Sequence, residues 1–384
     1  MGKKVSAFIW IVSILLVWSG FALNGMALTE EEKSDGFVSL FDGTDLSGWK
    51  ITGNKEAFGI EDGALTCYGT GGNRIQTLKK YENFILRLEF KISKNGNNGI
   101  YIHCPDHGRE SRVGGEIQVK DDYGKKLVAD TCGSLYDVFA PSVNACKPHT
   151  EWQSYEITFI WPRLHVVLNG TTVLDKDVTT HERSKYRTKF GYIAIQDHQD
   201  RVWYRNIRIK DLGWDDESLW IPLLNGDTLA GWHAIGETDF EINDGVLTVR
   251  KGDGYLINTN RYENFELWTY VKTDRRTENG IYYRWRGTAE PGYRVTQAND
   301  DDLDEYTGSI TGLVPANQKH VGNDYWYPVQ IICQGGETVV VVNGRVAAKY
   351  KQTKEANGSI ALDMLTAGRK NAKIQFQGMR IKPL

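Results

Sequence analysis

The chain has 384 residues, of which 46 are Lys or Arg and 49 are Asp or Glu, giving a formal net charge of -3. This balance argues against nucleic acid or an anionic membrane as the partner. Forty glycines and nine prolines beside 12 Trp and 19 Tyr indicate many turns between short, aromatic-rich strands.

Residues 1–27 are predicted to be an export signal. Lys3 and Lys4 precede an apolar run over 5–23, and small residues at 25–27 fit a cleavage site after Ala27. Because the run is nearly long enough to span a bilayer, an uncleaved anchor is the alternative. Cleavage is the favoured interpretation, and it predicts a periplasmic or secreted protein without membrane attachment.

The remainder reads as β-structure. Residues 28–36 form a polar leader that we expect to be mobile. Apolar strand patterns then recur, for example over 84–92 and 202–209, and Asn-Gly pairs at Asn169 and Asn343 predict tight hairpins. No amphipathic helix longer than about two turns is found. Many short strands with frequent turn signals predict a two-sheet sandwich.

The same domain occurs twice. The repeated segments are FDGTDLSGW (41–49) and LNGDTLAGW (224–232), YENF at 81–84 and 262–265, and NGIY at 98–101 and 279–282. We therefore predict domains at 37–213 and 219–384, each long enough to bury a full core. The acidic linker 214–218 joins them, with Trp214 expected at their interface. Five cysteines leave the connectivity open, a bridge between Cys132 and Cys146 included.

These segments, with GEIQV (115–119) and GYIAIQDH (191–198), resemble the 3-keto-disaccharide hydrolase family over nearly all of 37–211 and, more weakly, over 219–383. The resemblance implies an all-β fold of two tandem concanavalin A-like jelly-roll sandwiches. It also implies cleavage of glycosides oxidised to a ketone at C3, by hydrolysis or elimination. Some related activities in the family depend on a divalent metal.

Strand alternation places residues i and i+2 on one face. It pairs Glu116 with Gln118, Gln196 with His198, and Tyr101 with His103, and we expect all six in the carbohydrate groove of the first copy. The second copy has Arg294 and Thr296 at the Glu116 and Gln118 positions, Arg284 at that of His103, and Met364 or Leu365 at that of His198. Arg205-Asn206 becomes Gln377-Gly378. The first copy is therefore predicted to be the catalytic one.

The chemistry assigns candidate roles. Abstraction of the acidified C2 proton needs a base, for which Glu116 and His198 are alternatives. The enolate needs donors or a cation, supplied by Gln118, Arg205, or a divalent metal on Glu116, His198 and His103. Such ligands suit Zn or Mn better than Ca. The candidate proton donors to the leaving oxygen are Tyr136, His103 and Lys147, and the candidate substrate-binding residues are Tyr101, His103, Gln196, Arg205, Trp152 and Trp203.

Two other functions stay open. A noncatalytic carbohydrate-binding protein fits the aromatic content, and the second copy can act in this way even if the first is an enzyme. A retaining glycosidase of the laminarinase type uses Glu-x-Asp-x-x-Glu. The corresponding stretch at 116–121 reads EIQVKD and lacks the central carboxylate, which ranks this alternative low. In each case the expected partner is an oligosaccharide or glycoside, and the sequence leaves the oligomeric state open.

Overall fold

The computed structural model describes residues 27–301, 303–352, 357–364 and 372–384. The predicted export signal, apart from Ala27, lies outside the described residues. Strands dominate the described chain, and its two α-helices, α1 (Glu30–Ser34) and α2 (Glu110–Val113), have five and four residues. Neither has the length or apolar character needed to span a bilayer.

The first copy contains thirteen strands within the described residues. They are β1 (Val38–Phe41), β2 (Trp49–Thr52), β3 (Phe58–Glu61), β4 (Ala64–Cys67), β5 (Asn73–Tyr81), β6 (Asn83–Ile92), β7 (Asn97–Cys104), β8 (Gly115–Lys120), β9 (Gln153–Ile160), β10 (Arg163–Leu168), β11 (Thr171–Asp177), β12 (Gly191–Asp197) and β13 (Val202–Gly213).

The described part of the second copy also contains thirteen. They are β14 (Ile221–Pro222), β15 (Trp232–Ile235), β16 (Thr238–Asn243), β17 (Val246–Gly252), β18 (Tyr255–Asn258), β19 (Phe265–Thr273), β20 (Asn279–Trp285), β21 (Tyr293–Gln297), β22 (Tyr327–Gln334), β23 (Glu337–Val342), β24 (Arg345–Lys351), β25 (Ser359–Asp363) and β26 (Ile374–Pro383).

Each copy folds into two antiparallel sheets. In the first copy the larger sheet has the order β11-β10-β9-β6-β13-β4-β3, with β1 on β13, and the smaller has the order β2-β5-β12-β7-β8. The second copy repeats both orders, as β16-β17-β26-β19-β22-β23-β24, with β14 on β26, and β15-β18-β25-β20-β21. The predicted all-β fold of two tandem sandwiches is confirmed.

A separate apolar core lies between the sheets of each copy. In β6 the buried residues alternate with partly exposed ones, so that Phe84, Leu86, Leu88, Phe90 and Ile92 all point inward. Each such side chain contributes roughly 1.5–3 kcal/mol on burial. The five cysteines are buried free thiols.

The Asn-Gly turns are hairpins, as predicted. Asn169 and Gly170 have φ of 51° and 80°, and Asn343 and Gly344 have φ of 50° and 74°. Positive φ at both central residues is the geometry that matches the twist of paired strands. These turns join β10 to β11 and β23 to β24.

The leader is ordered, so the prediction of mobility is wrong. Thr29 caps helix α1, and its hydroxyl accepts from the Glu32 amide while the Glu32 carboxylate accepts from the Thr29 amide. Glu32 also forms ion pairs with Arg87 and Arg208 of the larger sheet. The Thr-x-x-Glu capping box was legible in the sequence.

The outer face of the second copy's larger sheet packs against the first copy. Trp268 and Tyr270 of β19 stand where β6 carries Arg87 and Glu89, and they form an apolar cluster with Val113. Around it Arg345 donates to Asp137 at 2.6 Å and Lys382 to Asp216 at 2.8 Å. Trp214 instead lies against Phe190 of the first copy and is half exposed.

Candidate functional site

A cleft of about 420 Å³ opens on the outer face of the first copy's smaller sheet. We call it the sheet cleft. Its lining residues are Thr52, Gly72, Asn73, Arg74, Tyr101, Glu110, Gln196, Asp197, His198 and Gln199. Of the sequence-predicted residues, Tyr101, Gln196 and His198 line it directly.

Strand register builds the floor of this cleft in two rows. The first row runs across the sheet as Thr52, Arg74, Gln196, Gly99 and Gln118, and the second as Gln76, Ala194, Tyr101 and Glu116. Alternate residues of the same strands, such as Ile75, Ile100 and Ile117, point into the core. The predicted pairing of Glu116 with Gln118 on the outer face is therefore correct.

Two amide oxygens and the Glu116 carboxyl group surround one spot on this floor. Glu116 folds over Gly99, where a Cβ atom would overlap its carboxyl group. Gln196 and Gln118 flank Gly99, and each has a buried amide oxygen with no hydrogen-bond partner among the described residues. Because a buried acceptor without a donor destabilises a protein by about 1–3 kcal/mol, the arrangement fits a ligand that brings donors.

The Glu116 carboxyl group is unusually placed for a charge. It is 5% exposed, and no described group donates a hydrogen bond to it. Burial, reinforced by the nearby charge of Asp130, raises its pKa to about 8, against the opposing effect of Arg109 and Arg187. The group is therefore protonated near neutral pH and can act as a proton donor.

Tyr101 lies between Gln196 and Glu116. Its hydroxyl accepts a hydrogen bond from Gln196 Nε2 at 2.7 Å, and its backbone pairs in register with Glu116. Burial, and then the Glu116 carboxylate, raise the pKa of Tyr101 far above its ordinary value. The hydroxyl thus stays neutral and keeps its proton available for donation.

Arg74 is a site residue that the sequence analysis missed. Its Nε donates to Gln76 Oε1 at 2.9 Å, its guanidinium pairs with Glu110, and it also donates to the Asp106 carbonyl at 3.2 Å. The loop 105–114, which follows β7, therefore fixes this cation at the cleft. The signal was the alternation of Arg74 and Gln76 across Ile75, which marks an outward polar face.

His198 lies exposed at the rim, directly after β12. The preceding residue, Asp197, is buried and accepts from Thr70 Oγ1 at 2.7 Å, the Gly71 amide at 2.8 Å and Asn73 Nδ2 at 3.0 Å. These bonds hold the glycine-rich turn before β5 against the end of β12. His198 and Gln196 thus open to the same cleft, as alternation predicted.

The placement of His103 in the groove is wrong. A bulge in β7, where His103 has φ of 50°, reverses the alternation after Tyr101. The ring lies in the core, stacked on Phe159 at 4.8 Å, with Nε2 on the Glu82 carbonyl at 2.7 Å. Burial lowers its pKa to about 4. His103 does not line the cleft, so it is not placed to bind substrate, or to bind a metal together with Glu116.

Three predicted substrate-binding residues lie on the other sheet. Trp203 and Arg205 belong to β13, and Trp152 lies beside them on the outer face of the larger sheet. Lys91 lies over both tryptophan rings, and Arg205 donates to Glu89 at 2.7 Å. These three candidate substrate-binding residues therefore lie away from the sheet cleft, because the sequence does not show which sheet a strand residue belongs to.

The two other predicted proton donors, Tyr136 and Lys147, lie in different parts of the first copy. The Tyr136 amide donates to the Glu116 carbonyl at 2.9 Å, so the Tyr136 backbone lies beside Glu116, but Tyr136 is not among the residues that line the cleft. Lys147 is exposed near the Trp152 carbonyl, outside the residues that line the cleft. Neither residue lines the cleft, and only Tyr136 has a backbone contact with Glu116.

The predicted metal ligands do not come together. Glu116 lies on the floor, His198 on the rim and His103 in the core. In the described ranges no group of three or more His, Cys, Asp or Glu side chains is arranged to hold a metal ion. The predicted ligand set of Glu116, His198 and His103 therefore does not form a metal centre.

In the second copy, protein side chains occupy the place that corresponds to the Glu116 carboxyl group. The strand register confirms Arg294 and Thr296 at the Glu116 and Gln118 positions. Arg294 folds over Gly280 and donates to Asp363 at 2.7 Å and Glu278 at 2.9 Å. Arg284, with φ of 59°, repeats the bulge of His103. Met364 aligns with Asp197, so the residue at the His198 position, Leu365, lies outside the described residues.

The remaining floor of the second copy is apolar. Tyr255 and Ile257 occupy the positions of Arg74 and Gln76. Tyr255, Tyr282 and Trp285 form a compact aromatic cluster, with ring centroids 4.5–5.9 Å apart. The polar floor is thus a property of the first copy.

Known proteins match about half of this chain, and one family model matches both of its copies. A family model described as 3-keto-alpha-glucoside-1,2-lyase-like domain matches residues 36–210 and again 219–382. A Bacteroides thetaiotaomicron protein named 3-keto-disaccharide hydrolase is 28% identical over an alignment of 230 positions, and the match covers 47% of this chain and 79% of that protein.

Solved structures are similar over about half of the chain. A candidate glycosyl hydrolase from Parabacteroides distasonis has 27% identity and a TM-score of 0.44, covering 49% of this chain and 99% of that one. A carbohydrate-binding module from Bacillus subtilis has 13% identity and a TM-score of 0.33, covering 40% and 95%. Because the family model matches both copies, the chain belongs to the family of 3-keto-alpha-glucoside-1,2-lyase-like domains and contains two of them in tandem.

Proposed function

We propose that the first copy cleaves glycosides whose sugar ring carries a ketone at C3, 3-keto-disaccharides among them, and that the second copy does not. The observation that carries this proposal is the buried, protonated Glu116 among orphaned acceptors on the cleft floor. The relative named 3-keto-disaccharide hydrolase supports the substrate class. The predicted export signal supports a periplasmic or secreted location for this activity.

The ketone makes the C2 proton acidic, so cleavage begins there. His198 at the rim takes the C2 proton, and the electron pair of the C2–H bond forms an enolate with C3. Tyr101 and Arg74 supply donors for the C3 oxygen, because both are held at the cleft by contacts with neighbouring side chains. Fixed donors stabilise developing charge more than mobile ones do.

The second step releases the leaving group. The enolate reforms the ketone as a C1=C2 double bond forms and the C1–O bond breaks. Glu116 gives its proton to the departing oxygen, which suits a carboxyl group with a pKa of about 8. Elimination ends at this point, and addition of water across C1 and C2 completes a net hydrolysis. The amide oxygens of Gln196 and Gln118 accept from the ring hydroxyls throughout.

The direct test compares a chromogenic 3-keto-glucoside with its unoxidised parent. We expect release only from the keto substrate, and loss of release in Glu116→Gln. The duplication offers a matched pair, because Tyr101 and Tyr282 occupy equivalent positions. Tyr101→Phe should slow turnover by roughly 100-fold, the loss expected for one oxyanion donor, whereas Tyr282→Phe should leave it unchanged.

Other outcomes of this test would support a different function for the protein. Cleavage of the unoxidised parent would indicate an ordinary glycosidase, and saturable sugar binding without cleavage a carbohydrate-binding protein. An equal effect of both tyrosine variants would contradict the assignment of catalysis to the first copy. A parallel assay with chelator measures any dependence on a divalent metal such as Zn, Mn or Ca.

A further inference from the structure

A second cleft, of about 620 Å³, lies between the two copies. We call it the intercopy groove. It shares Thr52 and Arg74 with the sheet cleft, so the two openings are continuous. Both volumes fall in the range of small-molecule sites, roughly 300–1,000 Å³. A ligand whose reacting atoms lie over the cleft floor therefore has room to extend into the groove.

The second copy supplies an aromatic wall to this groove. Tyr325 is 73% exposed, a value higher than that of any other large apolar side chain in the described residues. Its neighbour Trp326 is fixed, because its ring stacks on His107 of the first copy at 5.5 Å with an interplanar angle of 22°. An exposed ring on a fixed backbone is the arrangement that stacks against a flat ligand surface.

This wall is specific to the second copy. Phe159 pairs with Phe84 and Cys333 with Phe265, so the strands β9 and β22 align directly. Phe159 therefore corresponds to Cys333, and Glu151, eight residues before Phe159, corresponds to Tyr325, eight residues before Cys333. The exposed aromatic ring is thus present only on the loop that faces the other copy's site.

The first copy supplies a hydrogen-bond donor to this groove, the guanidinium group of Arg109. Arg109 lines the groove, its side chain is exposed, and its guanidinium has no hydrogen-bond partner among the described residues. The adjacent backbone is anchored, since the Arg109 amide donates to Asn343 Oδ1 of the second copy at 2.8 Å. Arg109 also acts electrostatically on Glu116, which links the groove to the acid on the cleft floor.

We propose that the intercopy groove binds the departing ring of the substrate, with Tyr325 stacking on its flat face and Arg109 donating to its hydroxyl groups. This inference rests on the proposed function, because it assigns the groove to the leaving side of the same bond. It gives the second copy a direct part in substrate selection: the groove favours glycosides whose leaving group is a ring over those whose leaving group is small.

The test compares two substrates of the intact protein, a 3-keto-disaccharide and the methyl 3-keto-glucoside of the same anomer. Tyr325→Ala should raise the KM for the disaccharide roughly 3- to 10-fold, the range of one lost ring contact, and leave the methyl substrate unchanged. Tyr325→Phe should restore the wild-type value. Tyr123→Ala is the matched control, since Tyr123 is 60% exposed but lines neither cleft.

A change in KM for both substrates alike, or for neither, would overturn the inference. Titration of the unoxidised disaccharide, followed by tryptophan fluorescence, separates this failure from that of the proposed function. If wild type cleaves no keto substrate but binds the disaccharide in a way that requires Tyr325, the groove remains a sugar site. If Tyr325→Ala binds the disaccharide as wild type does, the groove assignment is refuted whatever the activity.

Discussion

Replacing Glu116 with Gln should change how the stability of the protein depends on pH. The pKa of this carboxyl is raised from 4.5 to about 8, so the folded state holds its proton more tightly than the unfolded state. Between these two values the folded state binds more protons, and stability falls as pH rises. At about 1.4 kcal/mol for each tenfold change in the acid constant, the wild type should lose about 4 kcal/mol between about pH 5 and pH 9 through this group alone.

The assay is denaturant unfolding of wild type and Glu116→Gln at both ends of that range. Gln resembles the protonated carboxyl, so the two proteins should be similar in stability at the acid end, and the variant should be more stable by about 4 kcal/mol at the alkaline end. Glu151→Gln, on an exposed side chain, should show no such difference. A gap below about 1 kcal/mol at the alkaline end would refute the reasoning, as would a carboxyl carbon shift of Glu116 that titrates near 4.5.

Three further outcomes are expected. Trp203→Ala should leave KM and kcat unchanged in steady-state assays, because Trp203 lies on the larger sheet. A raised KM would show that Trp203 contacts the substrate. Glu110→Gln should lower kcat/KM about 10- to 100-fold by freeing Arg74, the range for a misplaced catalytic group, and unchanged kinetics would remove the loop from the mechanism. Gly344→Ala should destabilise the protein by about 1–3 kcal/mol more than Gly335→Ala in denaturant unfolding. Both glycines have positive φ, but only at 344 would a Cβ overlap the Arg112 backbone, and equal effects would contradict close packing of the copies.

Much of the fold was legible in the sequence because it rests on local signals. The repeated segments indicated two copies, and the Asn-Gly pairs at 169 and 343 located hairpins that the structure has. The alternation rule placed Glu116, Gln118 and Gln196 correctly, since these strands are regular up to those residues. It failed at His103, because a bulge with positive φ at a non-glycine residue leaves no reliable trace in one sequence.

The site was harder to predict because it is built from distant strands. Arg74 meets Gln196 only because β5 lies between β2 and β12, and this order does not follow from the chain. The same limit misplaced Trp152 and Trp203, whose sheet could not be assigned. Aligning β5 with β18 would have identified Arg74, since the second copy replaces it with Tyr255.

Because of the Arg294 side chain, ligand binding is expected to change the stability of the two copies by different amounts. In the second copy the Arg294 guanidinium donates to Asp363 and Glu278, so the place that corresponds to Glu116 is filled by the protein's own ion pairs. In the first copy the amide oxygens of Gln118 and Gln196 have no donor among the described residues, so the free energy of binding of a ligand in the sheet cleft adds to the stability of that copy. A ligand confined to the sheet cleft should therefore raise the melting temperature of the first sandwich more than that of the second, whereas a ligand that also occupies the intercopy groove should stabilise both.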